Sequence, residues 1–193
     1  MNHSQVYEEI AGRTGGDIYI GVVGPVRTGK STFIKRFMET MVIPNIDNVY
    51  RRERARDELP QSGSGRTIMT AEPKFVPEEA VELTMEDGGS FAVRLIDSVG
   101  YLVPGAVGQM EEDTPRMVTT PWFDYEIPMS EAAEIGTRKV IAEHSTIGIV
   151  VTTDGSITEI PRSDYLEAEE RAIRELLEIG KPFLVLLNSK APH

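Results

Sequence analysis

Short apolar runs rich in β-branched residues alternate along this chain with stretches whose apolar residues recur at helical spacing. Residues 18–23 (IYIGVV) read as a buried strand. After a loop at 24–29, Phe33, Ile34, Phe37 and Met38 predict a helix over 30–38. Residues 44–70 read as irregular, with a mixed-charge stretch at 51–58 and glycines at 63 and 65. Residues 72–85 read as one strand broken near Pro77, or as two short ones. Residues 91–96 are the returning strand after the turn signal Asp87-Gly88-Gly89. Residues 101–128 hold four prolines and read as a long loop, a feature usually tied to function. A helix is expected over 130–143 and a buried strand over 146–152. The clearest helix is 163–179, with Tyr165, Leu166, Ala172, Ile173, Leu176 and Leu177 on one stripe and Gly180 as its stop. A last buried strand is 183–187. Residues 1–16 are polar and read as a leader or short helix.

The resulting order, β-α-β-β-(loop, α)-β-α-β, predicts an α/β fold. Its mostly parallel sheet, with one antiparallel hairpin, lies between two helical layers. Composition narrows the function. With 193 residues the chain reads as one domain, or one domain carrying a large insertion at 101–128. The absence of cysteine excludes disulfide frameworks, thiolate zinc sites and cysteine nucleophiles. A formal net charge of −11 argues against a general nucleic-acid binder. No apolar run approaches the ~20 residues of a membrane span. The first ten residues lack a cationic and apolar secretory pattern. The expectation is a soluble, cytoplasmic, acidic domain.

Residues 24–31, GPVRTGKS, match G-x-x-x-x-G-K-[ST] between an apolar strand and a helix, where a phosphate-binding loop must sit. Gly24 and Gly29 let the backbone curl so that its N–H groups, with those of Arg27 and Thr28, face phosphates. Lys30 would reach the β- and γ-phosphates and Ser31 would hold Mg²⁺. Thr32 belongs to the same nucleotide-binding stretch, in a capping or packing role.

The hairpin's second strand ends in Asp97-Ser-Val-Gly100, which resembles the D-x-x-G element of the GTPase superclass. There the aspartate holds Mg²⁺ through water and the glycine N–H contacts the γ-phosphate. Between the two motifs Thr67 and Thr70 are candidates for a metal-sensing threonine, with Thr70, nearer the strand, preferred. Arg66 reads as a surface residue. Tyr101 stands where Ras-like proteins carry a water-orienting glutamine, and a phenol has no carboxamide to align water. Either another group positions the water, or hydrolysis is slow until assembly or a partner completes the site. The last strand ends in Asn188-Ser189-Lys190-Ala191 instead of N-K-x-D. Asn188 remains, but the carboxylate that pairs with guanine is gone. Discrimination in favour of GTP is lost with it. Asp154 lies on another strand and reads as a turn residue.

With these elements in place, further stretches widen the likeness. They are GRTGGDIYIGVVG (12–24), VRTGKSTFIK (26–35), DELPQS (57–62), TIMTAEPKFVP (67–77), AAEIGTRKVIAEHSTIG (132–148), TTDG (152–155) and RSDYLEAEER (162–171). Together they resemble the stage IV sporulation protein A family, spore-coat morphogenetic ATPases of endospore-forming Firmicutes. The resemblance implies a P-loop NTPase domain of translation-factor GTPase type that has switched to ATP. It implies Walker A, Walker B and sensor roles for Lys30, Asp97 and Thr70, with Ser31, Thr70 and Asp97 around Mg²⁺. The sensor is often a threonine doublet, whose second position here is Ala71. The family implies ATP-driven self-assembly on the outer forespore membrane surface in the mother cell. Its partners would be other copies, other coat proteins and a small membrane-bound anchor peptide. Family members are longer, so a strand and helix closing the base pocket are expected after residue 193.

Other features keep simpler readings beside the functional ones. Residues 109–134 hold seven acids against Arg116 alone, and fit an enlarged switch region. Trp122, with Phe123 and Tyr125, would be an assembly contact or would pin this loop to the body. Arg51, Arg52, Arg54 and Arg56 would form a charge-paired surface helix or a subunit contact. His144 reads as a helix-capping group and Met38 and Met41 as core filler. The functional expectation is a slow, assembly-coupled Mg²⁺-dependent ATPase. A regulatory GTPase and a nucleotide-binding scaffold are the alternatives.

Overall fold

The structure is a computed structural model. It describes residues 17–60, 72–84, 90–106, 108, 110–111 and 113–192. A five-stranded sheet has the order β2-β3-β1-β8-β9. Its strands are β1 (Asp17–Val23), β2 (Lys74–Thr84), β3 (Ser90–Asp97), β8 (Ile147–Thr153) and β9 (Phe183–Asn188). Four are parallel, and β2 runs antiparallel to β3 at the edge. The expected α/β P-loop architecture is the one observed. Two short ladders, β4 (Met110–Glu111) with β5 (Thr114–Pro115) and β6 (Met117–Thr120) with β7 (Phe123–Pro128), lie outside this sheet.

Strand parity sorts the core into two layers. Ile18, Ile20 and Val22 of β1, Val93 and Leu95 of β3 and Val151 of β8 face α1 (Lys30–Phe37) and its continuation, packing on Ile34, Met38 and Val42. Val23, Ile96 and Val150 face the other way, onto α3 (Met129–Lys139) and α4 (Leu166–Glu178). Alternation of period two in the strands and 3.6 in the helices is what makes this division possible. Close approach on the second face needs a glycine in β1. A Cβ at Gly21 would lie 2.7 Å from the Ser145 Cβ.

Two expectations are corrected, and one open alternative is decided. Part of the irregular stretch 44–70 is helix α2 (Val49–Asp57). The Asn48 side chain caps it by accepting from the Arg51 N–H at 3.1 Å, and Arg54 pairs with Glu58 at 2.9 Å one turn on. Only Ala55 of this helix is buried, so its sequence carries almost no amphipathic signal. The loop 101–128 is not structureless, because β6 and β7 form a hairpin leading into α3. Residues 74–84 are one strand whose register shifts between Val76 and Val81, where Pro77 cannot donate to the ladder.

Smaller readings resolve too. Trp122 is half-buried, with the Lys139 ammonium 6.0 Å above its ring, so it is pinned to α3. The His144 ring lies edge-on to Phe75 at 5.8 Å. Met38 is fully buried, whereas Met41 is 54% exposed and is not core. Among the described residues, no helix is long and apolar enough to cross a membrane. The leader at 1–16 and the threonines at 67 and 70 lie outside the described residues.

Candidate active site

β1 is the central strand, and its neighbours β3 and β8 lie on opposite sides of it. The crevice at the carboxyl ends of such strands is where open α/β sheets bind ligands. The loop leaving β1 curls through Gly24 (φ 120°), Arg27 (φ 65°) and Gly29 (φ 92°) before α1 begins at Lys30. Gly24 cannot be replaced without collision, since a Cβ there would lie 2.5 Å from the Val151 carbonyl oxygen. Thr28 is buried and its hydroxyl donates to the Pro25 carbonyl at 3.0 Å, closing the loop on itself.

Lys30 is 5% exposed and its ammonium donates to the same Pro25 carbonyl at 2.6 Å. Burial lowers its pKa from 10.5 to about 8, and the nearby Asp97 carboxylate works in the opposite direction. Asp97 reaches this point because it shares a strand face with Val93 and Leu95, the face that α1 covers. Its Oδ2 accepts from the Ser31 hydroxyl at 2.6 Å. Desolvation raises its pKa, opposed by Ser31 and Lys30. Its Oδ1 is buried without a hydrogen-bond partner among the described residues. An orphan carboxylate oxygen beside a hydroxyl suits a hard, oxygen-preferring cation or its water shell. Among the described residues, no group of three or more acidic, His or Cys side chains is arranged to hold a metal without such help.

Beyond Asp97 the chain stays bonded to the P-loop. Val26 N–H donates to the Tyr101 carbonyl at 2.9 Å, and Tyr101 N–H donates to the Gly24 carbonyl at 3.1 Å. Between these ties Gly100, at φ 95°, lies so close that a Cβ would overlap the Gly24 carbonyl oxygen and the Lys30 ammonium. A chain with this P-loop, a buried lysine and a strand-end aspartate has the parts for stabilising a transferring phosphoryl group. The sequence model of the family described as stage IV sporulation protein A, ATPase domain, matches residues 1–193.

The chain belongs to the stage IV sporulation protein A family.

It is 62% identical over 193 residues to stage IV sporulation protein A of Bacillus anthracis, and equally to that of Bacillus subtilis (strain 168). It is 60% identical over 192 residues to that of Clostridioides difficile (strain 630). All of this chain is covered, but it spans only 39% of the length of each of these curated relatives.

Asn188 joins the cluster from the far side. Its amide donates to the Thr28 carbonyl at 3.0 Å, and a Cβ on Gly29 would meet the same amide at 2.5 Å. Asn188 therefore ties β9 to the P-loop. Arg27 is half-buried and Thr32 is exposed on the outer side of α1. Tyr101 is drawn away from the loop whose backbone it holds. Its side chain is 2% exposed, its hydroxyl donates to Glu175 of α4, and the Arg171 guanidinium lies 4.3 Å above its ring. Burial and the Glu175 carboxylate push the phenol far above its ordinary range.

Two partners were not visible in the sequence. Thr137 of α3, fully buried, accepts the Gly100 N–H at 3.0 Å. Asp154 is a turn residue, accepting from the Ser156 hydroxyl at 2.6 Å and N–H at 2.9 Å. It also faces Ser189, and these hydroxyls hold its pKa down to about 2. The pairing of Thr153 with Asn188 in the β8–β9 ladder is the signal that places the two loops side by side.

Proposed function

We propose that this chain is the nucleotide-hydrolysing part of a protein that uses ATP turnover to drive its own assembly. The observation that carries the reading is the convergence of Lys30, Ser31, Asp97 and Gly100 on the carboxyl ends of β1 and β3. The Ser31–Asp97 contact of 2.6 Å joins the two motifs. The P-loop N–H groups and the N-terminus of α1 face the phosphates, and Lys30 gives up its Pro25 carbonyl to reach the β- and γ-positions. Ser31, Asp97 and, by the family resemblance, Thr70 would hold Mg²⁺, which would neutralise charge on the phosphate oxygens. Gly24, Arg27, Thr28, Gly29 and Thr32 complete the phosphate side. Asn188 keeps the base loop against Thr28.

The exposed Ala191 offers no carboxylate to the guanine edge, which removes discrimination in favour of GTP, and the family's ATPase description supports ATP as the nucleotide. Tyr101 has its hydroxyl committed to Glu175, so it does not orient the attacking water. Turnover is accordingly slow in isolated copies and rises on assembly. By family membership the assembly is a spore-coat layer on the forespore surface, built with other copies and with membrane-bound and coat partners. Nucleotide competition and single-turnover hydrolysis test this. Lys30→Ala should abolish ATP binding, and Asp97→Asn should spare binding better than hydrolysis. Clear preference for GTP, or equal turnover by wild type and Lys30→Ala, would overturn the reading.

A further inference from the structure

Gly100 lies between two pinned neighbours. Ser98 donates from its N–H (3.3 Å) and its hydroxyl (2.9 Å) to the Val22 carbonyl, and Tyr101 is bonded to the P-loop backbone in both directions. The Gly100 N–H itself donates away from the P-loop, to the hydroxyl of Thr137 at 3.0 Å. Thr137 is fully buried on α3, 37 positions along the chain. A buried N–H must have an acceptor, and leaving it without one is costly. With φ at 95° and no side chain, Gly100 is the one position in this stretch where the peptide can be re-aimed cheaply.

We propose that Thr137 is a positioning residue for the γ-phosphate donor. Its hydroxyl holds the Gly100 N–H while the γ-position is empty, and a nucleoside triphosphate takes that N–H from it. This rests on the nucleotide-site reading above. A terminal phosphate is an ionised acceptor and forms a stronger hydrogen bond than a neutral hydroxyl. A diphosphate lacks that group and leaves the Thr137 bond in place. The competition is therefore specific to the triphosphate. Release also reports the phosphate to α3. That helix begins at the end of the β6–β7 hairpin, where the Met129 N–H donates to the Arg116 carbonyl at 2.7 Å.

The test compares wild type, Thr137→Val and Thr137→Ser in their affinities for the non-hydrolysable ATP analogue AMP-PNP and for ADP, each with Mg²⁺. Valine keeps the shape and removes the acceptor, so the unliganded and ADP states lose a hydrogen bond that the triphosphate state does not use. The AMP-PNP preference over ADP should rise about fivefold or more in Thr137→Val and stay at the wild-type ratio in Thr137→Ser. A packing role alone would move both affinities together and leave the ratio unchanged. An unchanged or lowered ratio in Thr137→Val, with wild type discriminating normally, overturns the proposal and spares the site. Equal affinity of wild type for the two nucleotides, or undiminished binding by Lys30→Ala, overturns both. If Thr137→Val does not fold, the Gly100 amide resonance of wild type decides. A shift with AMP-PNP and not with ADP is expected, and the same resonance with both refutes the proposal.

Discussion

Replacing Tyr101 by phenylalanine separates a structural from a catalytic role at the position after Gly100. The ring packs in the core between α3 and α4, so its apolar burial survives the change. What is lost is one hydrogen bond to Glu175, whose carboxylate keeps a second partner, the Arg171 guanidinium at 3.2 Å. A hydrogen bond to a charged group contributes about 1.5–3 kcal/mol, and the remaining arginine contact brings the loss to the low end of that range or just below it, about 1–2 kcal/mol. For a chain of this size that lowers the melting temperature by about 2–8 °C. The Tyr101 backbone ties to Gly24 and Val26 do not depend on the side chain, so the P-loop keeps its shape. ATP turnover at a temperature well below the transition should therefore stay within about twofold, a difference of ~0.4 kcal/mol in the barrier. A phenol that oriented or deprotonated the attacking water would supply about 10²-fold or more. Paired melting curves and steady-state phosphate release decide the matter. A tenfold loss of kcat with little change in melting temperature would refute the reasoning.

Further changes probe other parts of the site and its frame. Gly29→Ala should destabilise the chain and weaken nucleotide binding, since it places a Cβ at φ 92° within 2.5 Å of the Asn188 amide; Asn188→Ala in the same background should recover part of the melting temperature, and no recovery would count against that contact. Arg162 forks onto Glu169 at 2.5 and 3.0 Å and lowers its pKa, so the stability this carboxylate contributes is fully present above its unfolded value near 4.5 and is lost as pH falls through the lower folded value. Glu169→Gln should flatten the acid limb of a stability–pH curve below about 4.5, and an unaltered limb would contradict the pairing. In nucleotide-free, metal-chelated protein, a Lys30 pKa near 8 means the unfolded chain binds the extra proton between about 8 and 10.5, so stability rises with pH across that window. The depression corresponds to about 3 kcal/mol, and Lys30→Met should abolish the rise in denaturant melts.

The central strands and the longer helices were legible because each buries one face and so repeats with period two or 3.6. Helix α2 was legible only as a charge-paired surface helix and not from periodicity, since its stability comes from the Asn48 cap, Arg54–Glu58 pairing and the Arg52 guanidinium on the Ile46 carbonyl (2.6–2.9 Å), none of which leaves a hydrophobic period. The β6–β7 hairpin was hidden because Pro121 lies in its turn and Pro128 at its end, while half of its residues are exposed. At the site the P-loop and Asp97 were readable because their chemistry is carried by neighbours in sequence. The Gly100–Thr137 and Tyr101–Glu175 contacts join residues 37 and 74 positions apart, and only the packing of α3 and α4 on the sheet brings them together. Asp154 was legible as a turn residue, but its place beside Ser189 was not, because β8–β9 register sets it.

These long-range contacts explain how a site built for a polyanion is stable inside a chain of net charge −11. On the proposed reading, three of the groups that would meet the phosphates and Mg²⁺ have an internal stand-in. Lys30 donates to the Pro25 carbonyl, Ser31 to Asp97, and the Gly100 N–H to Thr137. The stand-ins avoid the penalty of burying unpaired donors, which for an isolated ammonium would otherwise be prohibitive. They also set what a ligand gains, because binding exchanges these bonds for others. Only differences in strength count toward affinity. A neutral carbonyl or hydroxyl competes poorly with an ionised phosphate oxygen, so Lys30 and Gly100 both gain by the exchange. Ser31 is different, since its present partner Asp97 is itself a carboxylate. Its release is favourable only if a cation takes the place of the proton it shares, and the unpartnered Oδ1 of Asp97 makes that exchange the one with most to gain. Nucleotide and Mg²⁺ should therefore bind with positive coupling, through the Ser31–Asp97 bond that joins the two halves of the site.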